Sequence, residues 1–215
     1  MKIAILSDIH EGLNRKKTRI DIMTLLNNWL DANQPDVFII SGDMTAGPEK
    51  SLNLLNQLQN SNPQIKIIFV HGNHDVYYGD STQAYEILLK FPGNLGNGPI
   101  KLDDNWVVIG EGGWYDYTFG MKDYNAEHYA LGTFGNFTWP DKTYANWPMD
   151  DQNLTDYYVE KIEKWLQEYE GKNIIMVTHY EGIEIICNPL GYYPHEWNHS
   201  SPEKEIHSTI KVIVI

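Results

Sequence analysis

The chain opens on an unbroken apolar run. Residues 2–6 stop at Ser7-Asp8-Ile9-His10, as expected of a central strand buried on both faces. Over 18–30, Ile20, Met23, Leu25, Leu26, Trp29 and Leu30 recur at roughly helical spacing, and Pro35 closes the connection. The strand signal returns at 37–40 and stops at Ser41-Gly42-Asp43, after which Leu52, Leu54, Leu55 and Leu58 predict a helix over 50–58. A third strand, 65–70, runs into His71-Gly72-Asn73-His74-Asp75. This βαβαβ alternation predicts a mostly parallel sheet with helices packed on it.

Beyond the third strand the pattern loosens. It predicts a helix over 83–89, a Gly, Asn and Pro loop over 92–99, a strand over 106–109 and a helix over 154–169. A strand over 173–177 ends in Thr178-His179, a loop spans 180–204, and 210–215 reads as a last strand. Between 112 and 148 lie eleven aromatic residues, Trp114 to Trp147, with no sustained period of 2 or 3.6. Such a stretch reads either as a cap or rim over a cleft or as aromatic packing of an irregular excursion.

Composition narrows the function classes. At 215 residues, 42% hydrophobic and 13% aromatic, the chain has globular values, and a single domain over 1–215 is expected. The charge, 16 minus 29 or −13, removes any general attraction to nucleic acid or anionic lipid. No apolar run is long enough to cross a bilayer and no basic-plus-apolar leader opens the chain. With Cys187 as the lone cysteine, an intrachain disulfide is excluded, and a cytoplasmic protein without membrane contact is expected. An anionic substrate is compatible with this charge if bound cations reverse the local field.

Three successive strands end in ligand-type groups: Asp8 with His10, then Asp43, then Asn73 with His74. In open α/β sheets ligands bind outside the carboxyl ends of the strands, so these groups are placed to converge. Glycine at 72 lets the backbone turn sharply there. Carboxylates, imidazoles and an amide form an oxygen and nitrogen donor set suited to Mn, Fe or Zn rather than to a thiolate site. Asp43, between the strands carrying Asp8 and Asn73, is the natural bridge between two ions. Two divalent ions lower the pKa of a shared water and clamp an in-line displacement at phosphorus, so hydrolysis of a phosphoester uses this set best. His74 is placed to protonate the departing oxygen, with Asp75 orienting its ring.

In order, Asp8-Ile9-His10, Gly42-Asp43, Gly72-Asn73-His74-Asp75 and Thr178-His179, each after a strand, resemble the calcineurin-like metallophosphoesterases. The resemblance spans residues 1–179. It implies a four-layer α/β/β/α sandwich of two mixed sheets with a dinuclear centre at their edge. Asp8 and His10 would bind the first metal, Asp43 would bridge, Asn73 and His179 would bind the second, and His74 would be the outer-sphere acid. The implied cofactors are two divalent ions, and the implied partner is a small phosphorylated substrate. The family's Gly-His-x-His block, expected after 210–215, does not occur in these residues. Either the chain stops short of it or other groups fill its positions.

His195 and His199 are expected to face solvent or substrate rather than a metal, and His207 to sit at the wrong end of its strand. His128 is not expected to be a ligand, and His71 is expected to be a surface group or to lie behind the ligands. The competing function class is a degenerate member serving as a binding or scaffold module. His74 speaks against it, because a scaffold has no need of a leaving-group acid.

Overall fold

The computed structural model describes residues 1–118, 120, 124–179, 195, 197–199 and 201–215. Strands β1 (Lys2–Leu6), β2 (Val37–Ser41) and β3 (Lys66–Val70) lie side by side and parallel, with Ile3 opposite Val37 and Val37 opposite Lys66. Helices α1 (Glu11–Thr18) and α2 (Ile22–Asn33) connect the first two strands, and α3 (Pro48–Ser61) connects the next two. After α4 (Ser81–Leu88) comes a second sheet, in which β5 (Trp106–Glu111) pairs antiparallel with the short β4 (Ile100–Lys101) and parallel with β8 (Asn173–Thr178).

The 112–148 segment holds α5 (Ala126–Leu131), a small hairpin of β6 (Thr133–Phe134) and β7 (Phe137–Thr138), and α6 (Pro140–Tyr144). Helix α7 (Asp151–Glu168) precedes β8, and α8 (Pro202–Thr209) leads into β9 (Lys211–Val214). Strand β9 joins β1 antiparallel, which makes the first sheet mixed, in the order β3-β2-β1-β9.

Side-chain alternation along the strands creates the layers. Ile3, Val37, Ile39, Ile68 and Val70 point from the first sheet to Leu95, Val108 and Val177, forming a dry seam between the sheets. Their neighbours Ala4, Leu6, Phe38, Ile40, Ile67 and Phe69 face the other way and pack on Met23, Leu26, Leu30, Leu55 and Leu58 of α2 and α3. On the far side, Val107 and Ile109 meet Trp165 of α7. The result is the expected four-layer α/β/β/α sandwich. Each fully buried Leu or Ile contributes about 1.5–3 kcal/mol, so the seam and its flanking layers hold the strand ends rigidly.

One local expectation needs correction. The helix predicted over 18–30 is α2 and starts only at Ile22, after a separate α1 that the spacing did not predict: Arg19 takes a left-handed conformation (φ 63°) that ends α1, and the Asp21 carboxylate accepts from the N–H groups of Met23 and Thr24 to start α2. The first sheet is mostly parallel, as the alternation predicts, and the antiparallel β9 makes it mixed, as the resemblance implies. Among the described residues no helix is long and apolar enough to cross a membrane.

Candidate metal centre

The carboxyl ends of β1, β2, β3 and β8 meet at one edge, and backbone hydrogen bonds lock their loops together. Asp8 N–H donates to Gly42 O (3.1 Å), His10 N–H to Asp43 O (2.9 Å), and His179 N–H to Gly112 O (3.1 Å). The turn after β2 is closed by the turn after β3, because His74 N–H donates to Asp43 Oδ1 at 2.9 Å. Close approach demands glycine at two points. A Cβ on Gly72 would stand 2.1 Å from Asp43 Oδ1, and one on Gly42, itself at φ 88°, would stand 2.4 Å from His179 Nδ1.

Asp8 (φ 52°), His10 (φ 43°) and Asp43 (φ 55°) are all left-handed although none is glycine. Such conformations cost about 1–3 kcal/mol each and persist where the surroundings over-determine them.

The donor atoms fall into two groups that share Asp43. One contains His10, Asp43 and His74, the other Asp8, Asp43 and His179, with the atoms of each group within 4.8 Å of one another. His10 Nε2 is 3.6 Å from both Asp8 Oδ1 and Asp43 Oδ2. His179 Nε2 is 3.6 Å from Asp43 Oδ1 and 3.2 Å from Asn73 Oδ1, and His74 Nε2 is 3.8 Å from Asp43 Oδ2. Donors at about 2.1 Å from a common ion stand roughly 3.0–3.4 Å apart, so these spacings need only slight closure to hold one.

Tautomer supports the same reading. His179 Nδ1 lies 2.9 Å from the Ser41 carbonyl, which can only accept, so the ring carries its proton there. A neutral His179 then turns its Nε2 lone pair toward Asn73 Oδ1 and Asp43 Oδ1. Three electron-rich atoms face one another, an arrangement satisfied by a cation or a proton.

Charge follows from this packing. Burial drives the Asp43 carboxyl up to about 7 against the opposing pull of His179 and His10. Burial would also raise Asp8, but its contacts with His10 and the field of His179 leave it below the usual carboxylate range. His179 is lowered by burial and raised more by Asp43 and Asp8, so its net shift is upward. Burial, then His10 and His179, pull His74 down to about 3, so its imidazole is neutral in the free protein.

All five expected ligands and His74 are thus brought together, whereas Asp75 is not where the sequence reading put it. Its carboxylate is fully buried and takes its donors from the backbone and from Ser51. Oδ2 accepts from Asp43 N–H (2.8 Å) and Gly72 N–H (2.9 Å), while Oδ1 accepts from Met44 N–H (3.1 Å), Thr45 N–H (3.4 Å) and the Ser51 hydroxyl (2.5 Å). Asp75 therefore braces the backbone of the Asp43 turn. It does not orient His74.

His71 is buried too, with Nε2 3.3 Å from the Tyr158 hydroxyl, so it is not a surface group. His128, His195, His199 and His207 are exposed. Sequence reasoning missed Tyr77 and Asp141. Asn73 Nδ2 donates to the Tyr77 hydroxyl (2.9 Å) and to Asp141 Oδ1 (2.6 Å), and the Tyr77 hydroxyl donates to the same oxygen. The only sequence cue for Asp141 is the Trp139-Pro140 helix start before it, and this says nothing of a partner 68 residues upstream.

Comparisons with known proteins bear on the family and the fold. Over 51% of its length the chain is 29% identical to a transmembrane protein with a metallophosphoesterase domain from Bos taurus, covering 26% of that protein. It is 29% identical over 51% of its length to an uncharacterised metallophosphoesterase from Aquifex aeolicus, covering 41% of it. The chain therefore spans well under half the length of these curated relatives. Its fold matches that of phosphopantetheinyl hydrolase (PptH) from Mycobacterium tuberculosis with a TM-score of 0.65 at 18% identity, over 94% of this chain and 73% of that one. The family model for calcineurin-like phosphoesterases matches residues 1–209, and the chain belongs to that family.

Proposed function

We propose that this chain hydrolyses a small phosphorylated substrate, a phosphomonoester or phosphodiester, at a centre of two divalent ions, with Mn, Fe or Zn the best-suited metals. Asp8 and His10 would hold one ion, Asn73 and His179 the other, and Asp43 would bridge them. When bound, the ions would supply Lewis acidity for activating water and positive charge for the phosphoryl oxygens. The observation that carries the reading is the convergence of Asn73 Oδ1, His179 Nε2 and Asp43 Oδ1, with the His179 ring aimed at the other two by its contact with the Ser41 carbonyl.

The chain's own residues account for the rest. Asp43 is held rigid by the Gly72 turn and by the His74 amide, so its two oxygens face opposite halves of the site. His74 is neutral in the free protein, and an incoming phosphoryl dianion would reverse the sign of its surroundings and favour the imidazolium. That proton can then pass to the departing alkoxide or aryloxide. With a chain charge of −13, nucleic acid remains a poor partner.

The test is turnover of p-nitrophenyl phosphate and bis-p-nitrophenyl phosphate by the purified protein with added Mn, repeated with Asp43→Ala and His74→Asn. Loss of activity in both, with metal content lost only in Asp43→Ala, supports the assignment. Equal turnover by all three proteins refutes it, and loss of metal from His74→Asn would make His74 a ligand instead of the acid.

A further inference from the structure

We propose that Asp141, in the aromatic 112–148 segment, is a positioning residue that fixes the amide of Asn73 and so decides which end of that side chain faces Asp43 and His179. An asparagine amide offers an acceptor at one end and donors at the other, and nothing in its own shape chooses between them. The choice here is made from outside. Asp141 is 3% exposed, and its Oδ1 already takes the Tyr77 hydroxyl as a donor, so the Asn73 nitrogen rather than its oxygen turns toward it, at 2.6 Å.

The other donors around the carboxylate reinforce this. Tyr77 is buried, and its phenol O–H is a donor. It donates to Asp141 Oδ1 and takes the second bond from Asn73 Nδ2, while Trp139 Nε1–H donates to Asp141 Oδ2 at 3.1 Å. With its nitrogen held, the Asn73 oxygen is left 3.2 Å from His179 Nε2. A flipped amide would press its oxygen against the carboxylate of Asp141 and offer N–H groups to the site.

The arrangement mirrors the one at His179, where the Ser41 carbonyl orients the ring from behind. Partners of this kind behind metal ligands are worth about 10–100-fold in metal affinity. Asp141 lies on α6, whose Tyr144 carbonyl accepts from Tyr78 N–H at 3.0 Å, so the aromatic segment is tied to the stretch that follows Asn73.

The consequence for metal binding rests on the function proposed above, but the orientation itself does not, and the experiment separates them. In the metal-free protein, NMR of the Asn73 side-chain amide, assigned with Asn73→Ala, should show slow solvent exchange that disappears in Asp141→Ala. Mn affinity by calorimetry should fall about 10-fold or more in Asp141→Ala. In the pair Asn73→Asp with Asp141→Asn, the hydrogen bond is rebuilt in the opposite direction. Its affinity should exceed the sum expected from the two single variants, a coupling that a merely structural Asp141 would not give.

If Asp141→Ala leaves the amide protected and Mn affinity within twofold, the inference is overturned and the metal centre stands. If the amide loses protection but the wild-type protein binds no Mn, the positioning role stands and the proposed function falls. Should Asp141→Ala not fold, Asp141→Asn and the pair carry the same comparison, and additivity in the pair overturns the inference.

Discussion

Replacing Asp75 by asparagine isolates what holds the bridge between the two donor groups. The carboxylate accepts two backbone N–H groups at one oxygen, and two more plus a hydroxyl at the other. Asparagine must put an NH2 at one end. Whichever end it chooses, two buried backbone donors lose their acceptor, since the Ser51 hydroxyl can rotate but the amides cannot. Each unsatisfied buried donor costs about 1–3 kcal/mol, so Asp75→Asn should lose about 2–6 kcal/mol.

For a chain of this size each kcal/mol lowers Tm by about 2–4 °C, so a loss near 3 kcal/mol is a drop of roughly 6–12 °C. The assay is thermal and urea unfolding of the metal-free proteins, which separates the backbone brace from any effect of bound ions. If Asp75 acted through His74, Asp75→Asn would unfold with the wild type and share only the turnover defect of His74→Asn. Stability within about 0.5 kcal/mol of wild type would refute the bracing role.

Gly72→Ala should retain the fold but lose at least about 10-fold in Mn affinity by calorimetry, because its Cβ would sit 2.1 Å from Asp43 Oδ1 and push the carboxylate aside. Unchanged affinity would show that the turn relaxes freely. Lys161→Met should cost about 3–5 kcal/mol in urea unfolding, because it strands Glu111, 1% exposed, whose Oε1 the lysine ammonium shares with the Tyr85 hydroxyl. Burial raises Glu111 above its ordinary 4.5, opposed by Lys161. Above pH 4.5 the unfolded chain therefore releases this proton more readily than the native one, and the group's contribution to stability falls as pH rises. Removing the lysine enlarges that fall, so the deficit of Lys161→Met should be small near pH 4.5 and widen toward pH 8. A deficit independent of pH would contradict the pairing.

The strand ends were legible because an apolar run that stops at Asp8, Asp43, Asn73 or His179 marks both an element and the edge where it finishes. The same logic fails for Asp75, whose partners are mostly backbone amides and leave no trace in residue identity. Asp141 was hidden for a different reason: it sits in an aperiodic stretch, and its contact with Asn73 exists only once two distant segments meet. The break between α1 and α2 was masked by Ile20, which continues the helical spacing by chance while lying 38% exposed outside both helices.

The left-handed backbone at Asp8, His10 and Asp43 has a practical corollary for anyone wishing to toughen this protein. Glycine at any of the three would relax the chain locally, and a search for sturdier variants scored on melting alone would be drawn to them. Each such gain would delete a side chain from the centre, so a screen of that kind should be read beside metal content, where improved endurance and an emptied site would be told apart.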